Sequence, residues 1–163
     1  MMTIAQKYLE ELERESAATQ SILQAVPLDK SDWKPHPKSM SLGRLATHVA
    51  EIPSWFKNTL EDDELDFQKS DYKPYVARDT ADLLGILEKN LAAAKGILEK
   101  FPDERMTDNW TMRNGDTVYF ILPKEQVART WCLNHWYHHR AQLGVFLRLL
   151  DIPLPGTYGP SGG

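Results

Sequence analysis

Hydrophobic residues recur along this chain mostly at helical spacing, in four stretches. Ile4, Tyr8, Leu12, Ala18, Ile22 and Val26 lie near the i, i+3/i+4 rows of one face, with Glu11 and Glu15 outward, which predicts a first helix from about Ile4 to Val26. Thr3 stands at its cap position, and Pro27 limits it because proline disfavours helical backbone at the residue before it. The second stretch carries Leu42, Leu45, Val49, Ile52, Phe56 and Leu60 behind a cap at Ser39 or Ser41, and Pro53 inside it predicts a kink or local break. The third runs from about Thr80 to Lys100, with Thr80 as cap, Leu83, Leu84, Leu87, Leu91, Ala94 and Leu98 in register, and Pro102 closing it. The fourth and longest spans Lys124 to Leu150, where Val127, Trp131, His135, His139, Gln142, Phe146 and Leu149/Leu150 follow one face.

The connections differ in character. Leu28 to Lys38, with Trp33, Pro35 and Pro37, reads as an extended, packed loop. Glu61 to Tyr75 is rich in acid (Glu61, Asp62, Asp63, Glu64, Asp66, Asp71) and reads as a solvated loop. Two β-favouring runs, Trp110 to Arg113 and Thr117 to Ile121, flank Asn114-Gly115 and predict a hairpin. After residue 152, Pro153, Pro155, Gly156, Gly159, Pro160, Gly162 and Gly163 leave a tail without helix capacity. The expected fold class is therefore all-α: a four-helix bundle over residues 1–152, with a short β-hairpin excursion before the last helix and a Pro/Gly-rich tail over 153–163. Strand signals do not alternate with helices, which disfavours a parallel α/β fold.

Composition narrows the class of function. A chain of 163 residues fits one domain with its own core. The single cysteine, Cys132, excludes an internal disulfide and a CxxC redox pair. Nineteen basic against twenty-three acidic residues give a net charge of −4, which argues against a nucleic-acid partner held by phosphate neutralisation. No apolar run approaches the ~18 residues of a membrane span, and Met1 to Lys7 has no basic-then-apolar leader pattern, so a cytoplasmic location without membrane partners is expected.

The count that stands out is five histidines, three of them between positions 135 and 139. His135 and His139 are i and i+4, a spacing that puts two imidazoles on one helix face within reach of one metal ion. They continue an apolar stripe, where an unpaired imidazole is costly. Two ligands bind weakly, and His48, at the edge of the second helix's stripe, is the candidate third. His138 points about 100° away from His139, towards a flank, and His36 sits in a loop between prolines. Glu51, i+3 from His48, is placed to accept a hydrogen bond from a ligand imidazole or to shuttle a proton, though the spacing fits a surface glutamate equally. Asn134 and Gln142 are the other polar groups near the histidine face. Trp55, Trp131, Trp136 and Tyr137 are candidates to line a substrate pocket, though large aromatics at helical spacing more often pack in a core.

Two segments carry a resemblance: Leu45-Ala46-Thr47-His48-Val49-Ala50-Glu51-Ile52-Pro53 and Asn134-His135 through His138-His139-Arg140-Ala141-Gln142-Leu143. Together with the order of four helices, the long connection before the last and the Tyr158-Gly159-Pro160-Ser161 ending, they resemble the DinB superfamily of damage-inducible proteins, grouped with the bacillithiol- and mycothiol-dependent transferases. The resemblance spans nearly the whole chain. It implies a four-helix bundle holding a divalent metal, with His48, His135 and His139 at the ligand positions and homodimerisation through bundle helices. Nickel and zinc both suit imidazole ligands. The resemblance further implies, as activity, metal-dependent transfer of a low-molecular-weight thiol to an electrophile or a related hydrolysis in stress response or detoxification, with Glu51 as the acid/base candidate. The alternative is a non-catalytic stress-response bundle whose metal is structural or serves ligand binding. Cys132, i−3 from His135, is expected to be a buried structural residue, so a reactive thiol must arrive with the substrate.

Overall fold

A computed structural model describes residues 1–162. The first helix, α1 (Ile4–Gln24), starts at the predicted cap: the Thr3 hydroxyl accepts from the Gln6 amide, and the Gln6 side chain accepts from the Thr3 amide. Asp103 closes the same end from outside, accepting from the Ile4 and Ala5 amides. The second stretch forms α2 (Leu42–Glu51), capped by Ser41, a 3-10 turn over Ile52–Ser54, and α3 (Trp55–Glu61). The break falls at Pro53, which has no amide hydrogen to continue the helical ladder. The third stretch is α4 (Thr80–Leu98). Its cap is Asp79 rather than Thr80, because the Asp79 carboxylate accepts from the Asp82 amide.

The fourth stretch is not one regular helix. It comprises α5 (Lys124–Val127), a π-helical segment (Ala128–Asn134), and α6 (His135–Leu149). The His135 amide bonds back to Thr130, five residues earlier. Hydrophobic periodicity does not reveal so short a π segment, and such segments recur beside functional sites.

The bundle places α1 and α2 against α4, and α6 against α2 and α1. Its core includes Leu12, Leu23, Leu45, Val49, Phe56, Leu83, Leu87, Leu98, Leu133, Trp136 and Leu147. Trp136 is fully buried, and its ring N–H donates to the Val49 carbonyl (2.9 Å), locking α6 to α2.

The expected hairpin exists as β2 (Asn109–Asn114) and β3 (Thr117–Pro123), antiparallel, with a register shift at Met112/Arg113. Gly115 takes the turn at φ 56°, where a side chain would be strained. The acidic connection corrects the solvated-loop expectation: Glu64–Asp66 forms a third strand, β1, parallel to β2. Asp66 is buried and accepts from the Gly115 and Gln68 amides, which hold its carboxyl below the usual aspartate range. The sheet covers a small second core of Trp110, Met112 and Val127, with Trp131 packed against it.

Lys124 joins this sheet to the bundle. Its side chain is completely buried, and its ammonium donates to the Thr59 and Leu60 carbonyls at 3.1 and 3.2 Å, to the Asp62 carbonyl, and to Asp63 at 3.2 Å. These carbonyls are the unpaired acceptors at the end of α3, which a cation satisfies. Replacing Lys124 with methionine keeps the stem and removes the donor. The expected cost is about 1–3 kcal/mol, read as a lower denaturant midpoint at unchanged slope. A loss under about 0.5 kcal/mol, the usual scatter of surface substitutions, would show that this cap contributes nothing.

Candidate metal centre

Helices α2 and α6 carry the three histidines towards one another. His48 sits one turn before the end of α2, while His135 and His139 occupy successive turns of α6. One ring nitrogen from each lies within 4.8 Å of the other two, and His48 Nε2 is 3.2 Å from His135 Nε2. Among the described residues these three form the group of histidine, cysteine and carboxylate donors close enough to share a metal ion. His139 is buried, while His48 and His135 are half-buried, so the cluster lies at the surface end of the seam.

In two of the three rings the nitrogen pointing away from the cluster has a neighbour. His139 Nδ1 lies 2.7 Å from the Gln142 side-chain oxygen, so it carries the proton and Nε2 keeps its lone pair. His48 Nδ1 faces Glu51 Oε2 at 3.7 Å. Burial, followed by repulsion from His139, His48 and His138, pushes the His135 imidazole down to about 4. Burial also lowers His139. Neutral rings with free lone pairs are the form in which histidine binds metal. Three imidazole donors brought together by two helices could hold a divalent cation.

Around the cluster stand two different walls. One is aromatic: Trp55 lies 4.8 Å from His135 and Trp131 6.0 Å, ring centre to ring centre, and Trp131 stacks on Phe120. The other is polar. Arg44 donates to Glu51 (2.7 Å), to the Tyr72 hydroxyl (2.6 Å) and to the Tyr75 carbonyl (2.9 Å), and the Tyr72 hydroxyl donates to Glu51 (3.0 Å). Burial raises the Glu51 carboxyl, but contacts from His48, Arg44 and Tyr72 outweigh it, and the net shift is downward. Glu51 is thus an ionised neighbour of His48, not a lone surface glutamate. Arg44 was findable in the sequence, being i−4 from His48, whereas Tyr72 reaches in from the long connection and gives no local signal.

The other histidines stay outside: His36 and His138 are exposed. Asn134 is exposed, whereas Gln142 joins the site through His139. Cys132 is buried against the Thr59 hydroxyl, and burial pushes its thiol up to about 12. It is therefore neither ligand nor nucleophile at neutral pH. A cavity of about 480 Å³ opens elsewhere, between α6 and the tail, lined among others by Ile22, Tyr137, Arg140 and Tyr158.

Fold and site together define a class: a four-helix bundle with a sheet before its last helix and a histidine triad on the seam between α2 and α6. Residues 1–162 match the profile of the DinB family, and the chain belongs to that family. It is 27% identical over 163 residues to the uncharacterized protein YrdA of Bacillus subtilis (strain 168), covering 94% of this chain and 87% of that one. In structure it is similar to a DinB-like protein, YjoA, from Bacillus subtilis, with a TM-score of 0.71 at 18% identity over 93% of this chain and 96% of the other. A DinB-like protein from Bacillus cereus ATCC 10987 gives 0.68 at 23% identity, over 93% and 95%. Within the described residues no helix is long and apolar enough to cross a membrane.

Proposed function

We propose that this protein is a divalent-metal enzyme that joins a low-molecular-weight thiol to an electrophile, or carries out a related hydrolysis, with His48, His135 and His139 holding the metal. The observation that carries this reading is the convergence of three imidazoles from two helices at a half-exposed seam, with one donor nitrogen from each within 4.8 Å of the other two. A cation held there supplies Lewis acidity and lowers the pKa of a thiol or water bound to it. The chain supplies the rest. Gln142 fixes the His139 tautomer, Glu51 stands behind His48, and Trp55 and Trp131 offer an apolar surface to an electrophile. Cys132 is buried and protonated, so the reacting sulfur belongs to the substrate. Nickel and zinc are the metals this donor set suits best. Family resemblance supports a role in stress response or detoxification, in the cytoplasm, as a homodimer.

A second reading, a non-catalytic bundle whose metal is structural or serves ligand binding, is favoured by one observation. The Glu51 carboxylate is engaged by Arg44 and Tyr72 and held ionised, which leaves it a poor proton shuttle near neutral pH. The two readings part in a turnover assay. A panel of low-molecular-weight thiols is mixed with a test electrophile and the metal-loaded protein. The enzyme reading expects thiol consumption that falls at least about tenfold with the metal removed by chelation or with His48→Ala, since loss of an outer-shell partner alone costs that much and here a ligand is removed. No metal-dependent consumption across the panel would leave the binding reading in its place.

A further inference from the structure

The connection between β1 and α4 is tied to α2 beside the histidines. Arg44 holds the Tyr72 hydroxyl and the Tyr75 carbonyl, the Tyr72 hydroxyl donates to Glu51, and the Ala77 amide donates to the buried Thr47 hydroxyl (2.8 Å). Two groups compete for His48 Nδ1. Arg44 Nη2, at 3.4 Å, only donates a proton, while Glu51 Oε2, at 3.7 Å, only accepts one. A cation on Nε2 requires the ring proton on Nδ1, and therefore requires Glu51 as the partner and Arg44 turned away. The Tyr72 hydroxyl favours that arrangement twice, accepting from Arg44 and donating to Glu51.

We infer that Tyr72 is a positioning residue for the metal centre: it engages Arg44 beside His48 and orients Glu51 towards that ring, so that divalent-cation binding and docking of residues 67–79 on α2 are coupled. The inference rests on the metal reading above. Removal of the hydroxyl leaves Arg44, already 3.4 Å from His48 Nδ1, with one acceptor fewer to draw it elsewhere, and costs Glu51 a donor. Loss of such an outer-shell contact weakens metal binding about 10–100-fold. Linkage makes the effect reciprocal, so zinc suppresses opening of the 67–79 connection by a comparable factor when the hydroxyl is present and not when it is absent.

The experiment is calorimetric titration of Zn²⁺ into the full chain, its Tyr72→Phe variant and its Tyr75→Phe variant, with chymotryptic cleavage after residues 72 and 75 followed at each zinc level. Phenylalanine at either position remains a cleavage site. Tyr72 is mostly exposed, so its variant is expected to keep the parent's circular dichroism and Tm. Tyr72→Phe is expected to bind zinc at least about tenfold more weakly and to lose zinc protection of the connection. Tyr75→Phe is expected to match the parent in affinity, because Arg44 uses the carbonyl of residue 75 and the Tyr75 hydroxyl bonds Asp82 instead. Zinc affinity within twofold of the parent for Tyr72→Phe would overturn the inference while leaving the metal centre standing. No zinc binding by the parent would overturn both.

Discussion

Alanine in place of His135 or His139 is expected to empty the metal centre. Protein purified without an affinity tag and equilibrated with Zn²⁺ or Ni²⁺ should bind about one equivalent, as a three-histidine site does. Each variant should lose at least about 100-fold in affinity, since loss of an outer-shell partner alone costs about 10–100-fold and here a ligand itself is removed. Elemental analysis reads the content. His138→Ala is the matched control: His138 lies in the same cluster of sequence but is exposed and outside the triad, so its variant should keep the parent's content. Metal also binds the folded state alone, so it should raise the parent's unfolding free energy by about 2.7 kcal/mol at a hundredfold excess over Kd, and leave His135→Ala and His139→Ala unmoved. Equal metal in the parent and His135→Ala would remove the basis of the triad as a ligand set. Equal loss in His138→Ala would redirect the assignment to the other face of α6.

The convergence of those three histidines was legible in the sequence because His135 and His139 follow one face of their helix and His48 lies at the edge of the apolar stripe of α2, and a stripe fixes which way a helix faces. The helix start at Thr3, the break at Pro53 and the turn at Gly115 were legible for a related reason, since each follows from the stereochemistry of one residue, whereas Ser39 and Ser41 were equivalent caps by sequence and the structure uses Ser41. What stayed hidden depends on partners distant in sequence. Strand β1 is three residues inside an acidic run, and only pairing with β2 and the amides bonded to Asp66 make it a strand. The burial of Lys124 follows from the unpaired end of α3, some 60 positions earlier. The Asp79 cap displaced Thr80 by one residue, within the ordinary uncertainty of a helix boundary. Tyr72 lies in a segment with no periodicity, so nothing local ties it to His48. The Pro/Gly-rich tail reads as featureless by composition, yet the Tyr158 hydroxyl reaches Glu15 on α1 and Arg140 on α6.

That last contact belongs to the largest stability effect we expect, in Arg140→Ala. Arg140 and Glu15 are both buried and pair at 2.7 Å across the α1–α6 seam. The guanidinium also donates to the Thr19 hydroxyl (3.0 Å), the Glu15 carbonyl (3.2 Å) and the Tyr158 hydroxyl (2.7 Å). Removing it strands a carboxylate inside the bundle, which costs about 3–5 kcal/mol. In a chain of this size that lowers Tm by about 10 °C or more. The carboxyl itself carries a pH signature. Burial raises the Glu15 carboxyl, hydrogen bonds from Tyr158 and Arg140 outweigh it, and its folded pKa lies below the ordinary glutamate value of 4.5. A depressed folded pKa adds stability above the unfolded value and loses it as pH falls through the folded one, so the parent's advantage over Arg140→Ala should shrink below about pH 4.5. Replacing both partners, Glu15→Leu with Arg140→Met, removes the stranded charge and should recover most of the loss, which a double-mutant cycle reads directly. His139, the neighbouring residue, faces α2 while Arg140 faces α1, so the double variant should keep the parent's metal content. If Arg140→Ala costs less than about 1 kcal/mol, or the double variant is no more stable than the single, the pair is not what holds α6 to α1.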